Sequence, residues 1–230
     1  MNSYQAKQLE LTKKIEEDFK DGLFPSTIVD SVSDYINDNR RCLTTVVFIP
    51  QHLEKIILDK IINPLKKIDP TQCYYIPNSF HVTIRNIRIA EYPPSFDDFD
   101  IEKAKKVFRK VIPKYHSFIF DIKRLFELPT SLAISAFSDK TLGDLALELR
   151  EKLRMAGVSD NKIYADENIV IGNTTISRFT DTPNSDFKEK VKEFKNICIG
   201  SFEVRKISLI TTNAICHPSK TKIIEEYLLT

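Results

Sequence analysis

The chain has no tryptophan, and only 5 glycines, 4 cysteines and 4 histidines in 230 residues. The scarcity of glycine and tryptophan, beside abundant Lys, Ile and Asn, reflects genome composition as much as function. Charge of one sign is also missing: 34 Lys and Arg against 32 Asp and Glu give a formal net charge of +2. That is too little for a basic nucleic-acid-binding face, so any nucleic-acid contact has to be a local cleft. No apolar run approaches the length needed to cross a bilayer, and residues 1 to 14 contain no apolar stretch of a secretion signal. Cys42, Cys73, Cys198 and Cys216 are not paired at metal spacing, and free, buried thiols are expected. No His or carboxylate cluster shows ligand spacing either, so neither a metal nor any other cofactor is expected. A soluble, cytoplasmic protein follows, with enough chain to bury a substantial core.

What is present is a mixture of helical and extended patterns. Helices are expected over 3–20, 26–39, 50–68 (interrupted at Pro64), 101–112, 141–155 and 187–194. Strands are expected over 43–49, 117–128, 131–137 and 174–179, and from His81 onward. Residues 202–211 alternate with one slip, and 223–229 read as a strand or a short helix. No short-period repeat occurs. The order is that of an α+β (mixed α/β) fold rather than a doubly wound sheet. Residues 1–40 read as an N-terminal helical extension to a body spanning 41–230.

Two segments stand out. One is Ser79-Phe80-His81-Val82-Thr83-Ile84-Arg85, the other Gly172-Asn173-Thr174-Thr175-Ile176-Ser177-Arg178-Phe179. Strand alternation places His81, Thr83 and Arg85 on one face of the first. It places Asn173, Thr175 and Ser177 on one face of the second, with Thr174, Ile176 and Arg178 opposite. Two such faces meeting across a groove would offer an imidazole, a carboxamide and two hydroxyls to a small anion. A histidine near neutral pKa can take a proton from water or a ribose hydroxyl.

These motifs resemble those of the two-histidine (2H) phosphoesterase superfamily, which includes 2′-5′ RNA ligase-like proteins and cyclic phosphodiesterases. His81-Val82-Thr83-Ile84 matches the first motif. Asn173-Thr174-Thr175-Ile176-Ser177-Arg178-Phe179 matches the second except at its leading residue, where the family has histidine. The resemblance covers roughly residues 42 to 230. It implies two pseudo-symmetric lobes of largely antiparallel sheet, flanked by helices around a central cleft. It also implies metal-independent action on 2′,3′-cyclic or 2′-5′ phosphodiesters of RNA 3′ ends or small nucleotides. His81 would carry a proton, Thr83 and Thr175 would hold the phosphate, and Asn173 would donate a hydrogen bond without titrating. Arg178, Ser177 and Tyr75 are candidate substrate contacts. Weak or altered catalysis follows, since a positioned acid or base is commonly worth ~10²–10⁴ in rate.

Plainer readings stand beside these. Gly172-Asn173 also fits a two-residue hairpin turn, which would carry Asn173 away from any cleft. Thr83 and Thr175 serve equally as β-formers, Arg178 as a surface ion pair, and Tyr74 and Tyr75 as packing residues or as stacking platforms for a base. A missing proton would have to come from His116, His217, Tyr164, Tyr74 or Tyr75. Three functions therefore compete: a phosphoesterase, a catalytically inactive module binding nucleotides or RNA ends, and an interaction protein acting through its N-terminal helices. A monomer is favoured.

Overall fold

The computed structural model describes residues 2–230. Among these residues, nine strands form two antiparallel sheets. In chain order these are β1 (Arg41–Phe48), β2 (Cys73–Tyr74), β3 (His81–Glu91), β4 (Phe118–Leu128), β5 (Ser131–Phe137), β6 (Gly172–Arg178), β7 (Cys198–Val204), β8 (Lys206–Thr212) and β9 (Lys222–Leu228). The first sheet has the order β3-β1-β8-β9 and the second β2-β6-β5-β4-β7. The helices are α1 (Ser3–Lys20), α2 (Gln51–Ile57), α3 (Asn63–Ile68), α4 (Asp98–Val111), α5 (Lys140–Met155) and α6 (Ser185–Glu193). This is the mixed α+β, two-lobed architecture expected from the sequence.

The β-branched run Leu43-Thr44-Thr45-Val46-Val47 is buried throughout, as befits a strand with neighbours on both sides. Every residue of β5, at the centre of its sheet, is buried too. Pro64 cannot donate to the helical ladder, and the helix before it widens into a π-turn over Leu58–Ile62 that runs directly into α3. Asp97 and Asp139 accept backbone N–H groups at the starts of α4 and α5, and Asn2 and Gln5 form a reciprocal capping box on α1.

Two expectations need correction. Residues 26–39 are not helical. Asp34 accepts the N–H groups of Ile36 and Asn37, and Asp38 accepts that of Arg40, local bonds that compete with a helix. The helix expected over 3–20 is present as α1, and its buried residues are Gln8, Thr12 and Ile15. Gln8 donates to the Val170 carbonyl and accepts the Ser138 N–H, which ties α1 to the second sheet. The slip in 202–211 is a change of sheet: β7 belongs to the second sheet and β8 to the first, with Arg205 alone between them.

The non-helical segment after α1 crosses between lobes. Thr27 exchanges bonds with Ile163, Val29 accepts from Thr130, and buried Tyr35 bonds Phe179 and accepts from Asn213 through its carbonyl. All four cysteines are free; Cys216 is buried, whereas Cys198 is exposed, contrary to expectation. No helix is long and apolar enough to cross a membrane among the described residues.

Candidate active site

The site lies where β3, an edge strand of the first sheet, meets β6 of the second. His81, Thr83, Asn173 and Thr175 all line one cleft of about 280 Å³. That is close to the lower end of small-molecule sites, roughly 300–1,000 Å³, and suits a mononucleotide-sized group. Gly172-Asn173 is no hairpin turn: both residues sit in β6, opposite Ala136 and Ser135. A side chain at Gly172 would fall 2.6 Å from the Ala136 carbonyl oxygen, so glycine is what lets the strand close up there.

Strict alternation fails in both motif strands. Between Leu132 and Ala133, one step along β5 corresponds to two along β6, from Ser177 to Thr175. Ile176 is the extra residue of a β-bulge. It and Ser177 are both buried, at 0% and 1% exposure, and the Ser177 hydroxyl has no partner. The bulge reverses the phase. Arg178, expected on the far face, lines the cleft, and Ser177, expected in it, does not. Similarly, Val46 pairs with Thr83 but Thr45 with Arg85, so Ile84 and Arg85 together oppose a single step of β1. Arg85 is buried, lines the cleft and ion-pairs with Asp160, with its guanidinium carbon 4.2 Å from the centre of the Tyr164 ring.

His81 Nδ1 lies 2.8 Å from the Ser79 carbonyl. A neutral imidazole donating there carries its proton on Nδ1 and leaves Nε2 as an acceptor. Burial disfavours the imidazolium, but the neighbouring Cys216 sulfur and the Ser79 carbonyl outweigh it and Arg178, and the His81 pKa rises. Burial likewise opposes ionisation of Cys216, and His81 overrides it, so the Cys216 pKa falls. Of the four histidines only His81 lines the cleft; His116 bonds Thr230 and His217 bonds Ser219. Tyr75 stands beside His81, ring centres 6.4 Å apart, and donates to the Ala214 carbonyl. Burial pushes its hydroxyl up to about 12. Tyr164 also lines the cleft, bonds Asp160 and is likewise raised, chiefly by burial. Tyr74 bonds the Asp69 carbonyl and does not line the cleft.

Lys162, which carries no motif, enters the same cleft from the segment between α5 and β6. Burial, with Arg178 and Arg85 adding to it and Asp160 opposing, brings its ammonium down to about 8. Among the described residues Lys162 and Arg178 have no carboxylate at ion-pair distance, and the Arg178 Nε is buried without a partner. Two cations without ion-pair partners, in one cleft with Thr83 and Thr175, make an anion-binding arrangement. On the apolar side, Ile15 and Phe19 of α1 and Ile28 and Val29 of the crossing segment form a wall.

No family model matches this sequence, and no curated protein matches it. The likeness is to solved structures. A phosphoesterase crystal structure superposes with a TM-score of 0.57 at 11% identity, over 83% of this chain and 99% of that one. TT0787 of Thermus thermophilus gives 0.57 at 13%, over 81% and 97%. Apo LigT of E. coli gives 0.54 at 12%, over 83% and 98%, and LigT has also been crystallised with 3′-AMP and with phosphate. The chain therefore has the fold seen in these proteins.

Proposed function

We propose that the cleft binds the phosphodiester of RNA 3′ ends or small nucleotides, 2′,3′-cyclic or 2′-5′, and cleaves it with altered chemistry. The observation that carries this reading is the meeting of His81-x-Thr83 and Asn173-x-Thr175 in one cleft beside Arg178. Thr83 and Thr175 donate to the non-bridging phosphate oxygens, and Arg178 supplies charge. His81 Nε2 takes the proton of the attacking water or hydroxyl. Asn173 donates a hydrogen bond but exchanges no proton. That LigT, which has this fold, has been crystallised with 3′-AMP and with phosphate supports a phosphate-centred reading of the cleft.

The test is hydrolysis of a 2′,3′-cyclic nucleotide by the unmodified chain, by His81→Ala and by Asn173→His. Turnover that His81→Ala removes, and that Asn173→His raises, is the expected result. Equal rates in all three would overturn the paired-motif site. Tight, phosphate-dependent nucleotide binding without turnover would mark an inactive binding module, a reading favoured by the non-titrating carboxamide at 173.

A further inference from the structure

Asn173 leaves the cleft one proton carrier short, and the groups first considered as substitutes do not supply it. His116 and His217 lie outside the cleft, and Tyr75 and Tyr164 are engaged in hydrogen bonds and hold their protons too firmly. We infer that Lys162 is the second proton carrier, giving its proton to the leaving oxygen while His81 takes one from the attacking water. This rests on the phosphodiester reading above.

The placement of Lys162 is built in from both sides. Asp160 pairs with Arg85 of β3, and Asn161 Oδ1 accepts the Ile89 N–H at 2.9 Å. Ile163 is tied to Thr27 by two bonds, its N–H to the Thr27 hydroxyl at 2.8 Å and its carbonyl from the Thr27 N–H at 3.0 Å. Asn161 and Ile163 are exposed, whereas Lys162 and Tyr164 between and after them line the cleft. The ammonium stands 5.5 Å from the centre of the Tyr164 ring. The charged and titratable groups facing it are Arg178 from β6, Arg85 from β3, Cys42 from β1 and Asp160 from its own segment. Two guanidiniums against one carboxylate, which is already paired, favour release of the lysine proton. A lysine desolvated in this way serves as an acid near neutral pH.

The step balances for a 2′,3′-cyclic ester. The water oxygen bonds to phosphorus as its proton passes to His81 Nε2. The bond from phosphorus to one ribose oxygen breaks, and that oxygen takes a proton from Lys162. A phosphomonoester and a free hydroxyl result. Lys162 is left as the amine and His81 as the imidazolium, and exchange with solvent resets both.

The experiment compares wild type, Lys162→Arg and Lys162→Gln on two esters, 2′,3′-cyclic AMP and a nitrophenyl phosphodiester whose leaving phenolate needs no proton. Arginine keeps the charge and cannot titrate. For the cyclic ester, kcat in Lys162→Arg is expected to fall ~10²–10⁴-fold, with loss of the alkaline limb of the pH profile. The nitrophenyl rate of Lys162→Arg, which also reports folding, should stay within about tenfold of wild type, because a leaving group that needs no proton gains nothing from a general acid. Lys162→Gln removes the cation as well as the proton, so both esters should slow, and the cyclic one by a further ~10²–10⁴-fold. If Lys162→Arg cleaves the cyclic ester at the wild-type rate with the alkaline limb intact, or loses both esters equally, Lys162 is not the acid and the phosphoesterase reading stands. If wild type cleaves neither ester, that reading fails and Lys162 with it.

Discussion

The hydroxyl of Thr45 clasps both backbone polar groups of Arg85: it accepts the Arg85 N–H at 3.1 Å and donates to the Arg85 carbonyl at 2.9 Å. One side chain of β1 thereby holds the irregular step of β3 that follows the His81 motif. Thr45→Val keeps the volume and deletes both bonds. The carbonyl retains the Thr44 hydroxyl at 3.2 Å, but the N–H loses its side-chain acceptor. Such a loss costs roughly 1–3 kcal/mol. Urea unfolding measures it, and an unchanged midpoint would show that the strand does not depend on the clasp.

Asp160 is the only carboxylate at ion-pair distance from the buried Arg85 among the described residues. Asp160→Asn strands the guanidinium. Removing one partner of a buried pair costs roughly 3–5 kcal/mol, so a marked fall in melting temperature is expected. The substitution also takes away the one nearby carboxylate that opposes loss of the Lys162 proton. The alkaline limb of any activity should therefore move to lower pH.

The His81 imidazolium is favoured by the Cys216 sulfur against the penalty of burial. Cys216→Ala removes that support, and the His81 titration midpoint should fall. Proton NMR of the imidazole ring reads this directly, and a midpoint that stays or climbs refutes the coupling. The sign carries over to stability. With a folded pKa above the unfolded one, the His81 contribution is complete below the ordinary histidine value and is lost as pH rises through the folded one. In Cys216→Ala that window narrows.

Arg178 and Ser177 exchange the places that alternation assigns them. Arg178→Gln should weaken binding of inorganic phosphate or 3′-AMP roughly 10- to 100-fold, the equivalent of a hydrogen bond to a charged group. Ser177→Ala, on the buried side, should leave it within about twofold, since its hydroxyl bonds nothing that could be lost. Titration calorimetry distinguishes them, and the reverse ranking would mean that the bulge does not turn these side chains as described.

Much of this was legible in the sequence. The β-branched run at Leu43, the leucine-rich helix of α5 and the two x-Thr-Ile motifs announce their structures through local pattern. Two of the errors share one cause, in that period-counting is blind to an inserted residue. A single bulge at Ile176 exchanged Ser177 for Arg178, and a change of sheet at Arg205 looked like an interrupted strand. Residues 26–39 have helical spacing, but the carboxylates of Asp34 and Asp38 bond their own neighbouring backbone. Lys162 had no local signal at all. Its role depends on a segment whose neighbours are fastened to β3 and to Thr27, partners 71 or more residues away that no window on the sequence brings together.

Arg205, the lone residue linking β7 to β8, makes the junction of the lobes a splice instead of a pivot. Swinging the halves apart there would tear at ladders on either side. A second tie between the halves is the stretch Ser26–Val29, which lines the cleft and spans it through the bonds of Thr27 to Ile163 and of Thr130 to Val29.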